Sequence, residues 1–147
     1  MTKILTFKNN ELVPVANFLI GLDLKNKASR GRTKLVKLLA EKNNEFQKEL
    51  TEETDKFLLK DENGDKVPGE GEGTFKTIEG KALEANTVKE EISNEEAVIE
   101  FTEYSEKFAA LRGELNSYDR ELNGQDATIY DLLMETFENN DEEKGNN

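Results

Sequence analysis

The chain has 147 residues, a net charge of −12, and neither His nor Cys. Losing both removes the commonest general base, the commonest metal ligand and every thiolate, which excludes Ser-His and Cys-His hydrolases, disulfides and Cys-based zinc sites. The charge is uneven: the first 48 residues carry ten Lys/Arg and four Asp/Glu, and the remaining 99 carry ten and 28, so +6 is followed by −18. Asymmetry of this kind bears on partner choice and solubility rather than on fold, and catalysis would have to rest on carboxylates, Lys or Tyr.

The length suits one domain, expected over residues 1–138. The start, MTKILTF, is too short and polar for a signal-peptide core, and no stretch approaches the roughly 20 apolar residues that span a bilayer. The expectation is a cytoplasmic chain with no membrane partner.

In chain order, Lys3 to Phe7 alternate as a short strand, with Ile4 and Thr6 on one face and Leu5 and Phe7 on the other. Asn9 or Asn10 offers an N-cap for a helix near 10–22, whose Leu12, Val15, Ala16, Leu19 and Leu22 recur at helical spacing. Pro14 is tolerable in its first turn, and Gly21 marks its end. Ser29 is the expected cap of a long helix to about residue 58, striped by Leu35, Leu38, Leu39, Phe46, Leu50 and Phe57.

The segment 61–80, DENGDKVPGEGEGTFKTIEG, holds half of the glycines and reads as a flexible insertion or a hairpin turning at Asn63-Gly64. Residues 81–92 permit helix but are weakly patterned. Ala97, Ile99 and Phe101 then alternate as a second strand over 96–101, a partner for the first. Tyr104, Phe108, Leu111, Leu115, Tyr118 and Leu122 form an a/d seam over 103–122, capped by Thr102 and ended by Asn123-Gly124. The seam is short for a coiled coil, so packing on the long helix is favoured, with a homodimer left open. Asp126 caps a last helix to about 138, and 139–147, lacking apolar residues, reads as a disordered acidic tail. The fold class is therefore mainly α with a minor β component, a helical bundle around one long helix with a small two- or three-stranded sheet.

Each candidate for chemistry has a plainer reading. Asp61, Asn63, Asp65 and Glu72 match positions 1, 3, 5 and 12 of a calcium loop, but Lys66 stands where the sharp turn needs Gly, so a plain turn is favoured. Gly69, Gly71 and Gly73 lack the Gly-Lys-Ser/Thr of a phosphate loop, and Glu70 and Glu72 would repel phosphate. Lys25, Lys27, Arg30, Arg32, Lys34 and Lys37 form the basic patch. With no interleaved aromatic and a net −12 field, direct nucleic-acid binding is disfavoured, and the patch is expected to hold the acidic half in place. Glu90, Glu91, Glu95 and Glu96 form an acidic face, read as solvated interaction surface rather than as a metal site. No catalytic residue, metal or cofactor is assigned.

Two segments, NNELVPVANFLIGLDLKNKASRGRTKLVKLL and FTEYSEKFAALRGELNSYDRELNGQDATIYDLLMETFE, resemble a family of small uncharacterised proteins of tailed phages and prophages of Gram-positive bacteria, a domain of unknown function. The resemblance rests most on Leu24-Lys25-x-Lys27-x-Ser29-Arg30-x-Arg32-x-Lys34-Leu35 and on Leu122-Asn123-Gly124-x-Asp126-Ala127-x-Ile129-Tyr130-Asp131, and implies phage origin without known enzymatic activity. The expectation is a non-catalytic phage accessory protein acting by protein–protein binding in the infected host's cytoplasm. One version is an acidic inhibitor of a host nucleic-acid-handling or defence protein. The alternative is a structural or assembly component of the phage particle, such as a tail or baseplate accessory.

Overall fold

The structure, a computed structural model, describes residues 2–145. Five α-helices and one two-stranded sheet occur among the described residues: β1 (Ile4–Lys8), α1 (Leu12–Ile20), α2 (Asn26–Asp55), α3 (Ala82–Asn94), β2 (Glu96–Glu100), α4 (Ser105–Asn116) and α5 (Gly124–Gly145). The mainly helical class with a minor sheet and one long helix is what the periodicity implied. The chain divides into two compact units, Met1–Asn43 with Glu96–Asn147, and Asn44–Glu95. α2 contributes residues to both.

In the first unit β1 and β2 pair antiparallel, with Leu5 opposite Ile99 and Phe7 opposite Ala97. These four and Phe101 are buried, so the alternating faces read from the sequence are the observed ones, and the Phe101 N–H extends the pairing by donating to the Lys3 carbonyl at 2.9 Å. The core joins this sheet face to Leu12, Val15 and Leu19 of α1, Leu35 and Leu39 of α2, Phe108, Leu111 and Leu115 of α4, and Leu133, Met134 and Phe137 of α5. Each such side chain contributes about 1.5–3 kcal/mol by leaving water. The α4 seam is thus satisfied within one chain, against Leu35 and Leu39 as the spacing suggested. Phe46 is also buried but belongs to the other unit and is not in this cluster.

Several caps differ from the sequence reading. Asn9–Glu11 form a 3-10 turn in place of an Asn N-cap, and the Glu11 carboxylate accepts from the Lys8 N–H at 2.7 Å. α2 starts three residues before Ser29, because the Ser29 N–H already donates to the Lys25 carbonyl and closes the first turn; Asn26, at its start, takes a positive φ of 54° that Asn tolerates. The Thr102 hydroxyl accepts from the Lys3 N–H instead of capping α4. Asn123, not Asp126, caps α5: its side-chain oxygen accepts the Asp126 N–H at 2.9 Å. Asn123-Gly124 therefore begins α5, and α4 stops at Asn116, leaving Tyr118 and Leu122 to pack from the connection. α5 continues past residue 138 to Gly145, since no proline or glycine interrupts that polar stretch; residues 146–147 of the expected tail lie outside the described ones.

Gly31 is where α2 and α4 meet. A Cβ there would lie 2.3 Å from the Lys107 carbonyl oxygen and 3.3 Å from Leu111 Cβ, so hydrogen is the only side chain that fits this approach.

The second unit joins the end of α2, three short extended segments and α3. The segments close a ring of backbone hydrogen bonds: Leu59 N–H donates to Lys76 O, Lys76 N–H to Val67 O, and Val67 N–H to Leu59 O, at 2.8, 2.8 and 3.1 Å. Bridges Leu58–Thr77, Lys60–Lys66 and Pro68–Phe75 flank it. The first turn is the expected Asn63-Gly64, with Gly64 at φ +81° and the Asp61 carboxylate accepting from the Asn63 and Asp65 N–H groups. Phe46, Ala85 and Ile92 are its buried apolar residues.

Candidate functional site

The basic segment lies in the first unit, and the structure separates its members. Arg32 turns inward at the C-terminus of α1, where its guanidinium donates to the carbonyls of Leu19 and Leu22 at 2.9 and 2.8 Å. The Leu19 carbonyl lies in the last turn of α1 and carries the negative end of its dipole, so a fixed cation is favourable there. The expected pairing of this residue with the acidic half is replaced by helix capping.

Lys27, Arg30, Lys34 and Lys37 follow at spacings of 3, 4 and 3, which places them on one face of α2 within an arc of about 80°. Among the described residues Lys27 alone of these four has an ion pair, to Glu106 at 3.9 Å and largely exposed. Lys34 stands 5.3 Å from the centroid of the Tyr104 ring, and Lys107 of α4 stands 5.6 Å from the same ring. Tyr104 is thus an aromatic among the cations that linear inspection could not find, because it comes from the other end of the chain. Lys25 is exposed ahead of α2.

The acidic candidates are divided between the units. Glu90 and Glu91 on α3 and Glu95 after it are exposed in the second unit, and Glu96 is exposed at the start of β2 in the first, opposite Lys8. No group of three or more carboxylates is placed to hold a metal ion among the described residues. In the calcium-like loop, Asp61 is occupied by the turn's own amides.

A concavity of about 510 Å³ in the first unit lies among Asp23, Lys25, Lys27 and Glu114 and has no aromatic lining; two others are lined by aromatic side chains. A cleft of about 120 Å³ in the first unit is lined by Phe101, Phe108, Arg112 and Phe137, smaller than the roughly 300 Å³ at which small-molecule pockets begin. A groove of about 440 Å³ in the second unit lies among Thr51 and Thr54 of α2, Leu58, Lys66, Phe75 and Thr77 of the extended segments, and Ala85, Asn86 and Lys89 of α3. No carboxylate lines it, although this unit carries 15 Asp/Glu against seven Lys. Phe75 is 45% exposed, with Lys66 5.2 Å from its ring centroid. The sequence reading missed this groove, since its lining comes from three separated segments, and one of them, α3, carries a weak apolar pattern.

Two carboxyls are shifted, both downward. Asp55 is held low chiefly by the hydrogen bond from Lys60 at 2.8 Å, with Lys66 adding to it, and Glu100 by hydrogen bonds from Thr102. Asp55 is half-buried and Glu100 is exposed.

These features define an acidic, mainly helical protein with a two-stranded sheet, in which no helix of the described residues is long and apolar enough to cross a membrane. The profile of the family described as "Protein of unknown function (DUF1617)" matches residues 3–146, and the chain belongs to that family. No curated protein and no solved structure matches it.

Proposed function

We propose that this is a non-catalytic phage accessory protein that works by binding another protein through its second unit. The observation that carries the reading is the carboxylate-free groove beside Phe75, set in the most acidic unit of the chain. A half-exposed aromatic ring over a concave, lysine-flanked surface suits an apolar anchor from a protein partner. α3 supplies part of the groove through Ala85, Asn86 and Lys89 and then presents Glu90 and Glu91, so one element offers both a pocket wall and a negative face. Carboxylates of that kind can occupy a basic groove on a nucleic-acid-handling host or defence protein, and electrostatic complementarity speeds such an encounter.

Tagged protein expressed in a Gram-positive host and recovered at low salt tests this. Wild type should retain a nucleic-acid-handling partner that both Phe75→Asp and Lys89→Glu lose, with circular dichroism unchanged for each variant. Retention of the same proteins by all three would overturn the reading. Several copies per particle in purified virions would move the protein to the structural class instead.

A further inference from the structure

The four cations of α2 have a counterpart on α5. Asp131, Glu135 and Glu138, at spacings of 4 and 3, share one face of α5 within an arc of about 60° and are exposed. None of them has an ion pair among the described residues, and no ion pair joins this row to the cations of α2 within the chain. The cationic row from Lys27 to Lys37 is about 15 Å long and the acidic row about 11 Å, and the Arg30, Lys34 and Lys37 part of the former, at spacings of 4 and 3, matches the acidic row in length and in helical spacing. Both rows lie in the first unit.

We propose that the α2 row of one copy docks on the α5 row of a second copy, making the chain a salt-sensitive self-associating protein. The occupant is chosen by the local match of charge rows. A second copy carries the same net charge of −12 and is repelled at long range, but it brings a short carboxylate row whose spacing matches the cations, held on one helix face. Exposed ion pairs are individually weak, so the contact depends on several pairs forming together and is suppressed as salt screens them. This surface is independent of the groove in the second unit, and either stands if the other falls.

The test is sedimentation velocity of the full chain, in 50 mM and 500 mM NaCl, on wild type, Arg30→Glu/Lys37→Glu and Glu135→Lys/Glu138→Lys, with circular dichroism to confirm folding. All four positions are exposed or face solvent on their helices. Wild type should show concentration-dependent dimer at low salt, weakened about tenfold or more at high salt. Each variant alone should be monomeric, and an equimolar mixture of the two should associate again, because the reversed rows complement each other. The second variant is the discriminating one: it makes the chain less negative, so general repulsion predicts stronger association, while row-to-row docking predicts its loss. A wild type that stays monomeric at low salt, a dimer untouched by both variants, or a mixture that stays monomeric would overturn the proposal. A mobility shift of a duplex or single-stranded oligonucleotide by wild type, abolished in Arg30→Glu/Lys37→Glu without any self-association, would assign the cationic row to nucleic acid instead.

Discussion

Arg30 and Arg32 are two residues apart and chemically identical, yet they have different jobs. Arg32 satisfies two carbonyls at the end of α1 while Arg30 faces solvent. Hydrogen bonds from a charged donor contribute about 1.5–3 kcal/mol, so Arg32→Ala should lower unfolding free energy by about 2 kcal/mol in urea titrations. Arg30→Ala should stay within about 0.5 kcal/mol. Equal effects would show that the cap carries no stability. Gly31, between them, should be the least tolerant of the three, since alanine would press on the Lys107 carbonyl. Gly31→Ala should cost about 2–3 kcal/mol, whereas Gly113→Ala on α4, with open space around it, should gain about 0.5–1 kcal/mol from helix propensity. The sequence showed that positive charge gathers around Ser29 and Gly31. It could not show that one guanidinium points to the carbonyls at the end of the preceding helix, because spacing reports which residues share a face and not where a long side chain ends.

At the level of elements, strong periodicity translated into structure and caps did not. β1, β2, α1, α2 and α4 were legible because their apolar residues repeat at 2 or at 3–4. Leu5, Phe7, Leu12, Val15, Leu19, Leu35, Leu39, Phe46, Ala97, Ile99, Phe108, Leu111 and Leu115 of those stripes are buried, whereas Leu38, Leu50, Phe57 and Tyr104 are half-buried. α3 was faint because Ala85 and Ile92 are its buried residues, too sparse for a stripe. The bounds moved where polar residues near the ends had competing partners, as with Thr102 and Asn123. Asn63-Gly64 was readable from local chemistry alone, and Gly64→Ala should cost about 1 kcal/mol purely through its φ of +81°, since nothing lies within 4 Å of the added methyl. The closing of that segment onto α2 also has a pH signature. Asp55 is held below its ordinary value by Lys60 and Lys66, so its contribution is present above the ordinary carboxylate range and disappears as pH falls through the lowered value. Melting temperature measured from pH 7 to pH 2 should therefore fall below about pH 4, and Asp55→Asn should show a shallower fall. An identical acid limb in the variant would mean the Lys60 contact does not form in solution.

On the scale of the whole molecule, the apolar burial is unequally shared. The large core cluster lies within the first unit, while the second holds Phe46, Ala85 and Ile92 as its buried apolar residues and leaves Leu59, Phe75, Ile78 and Leu83 exposed. It also carries the denser negative charge, whose self-repulsion opposes compaction. Regions with few buried apolar contacts open at lower free energy, so the second unit should unfold first. The chain offers a way to see this without labels. There is no Trp, and all three Tyr, Tyr104, Tyr118 and Tyr130, belong to the first unit; Tyr130 donates to the Leu115 carbonyl and meets Phe18 edge-on with ring centroids 6.3 Å apart. Tyrosine fluorescence therefore reports the first unit alone, while far-ultraviolet circular dichroism sums every helix. In a urea titration the dichroism should lose the share due to α3 and the end of α2 before fluorescence moves, and amides of Leu59 and Val67 should exchange faster than those of Leu5 and Ile99. Coincident curves by both probes would mean a single cooperative transition, and the two units would then be one thermodynamic body despite their unequal cores.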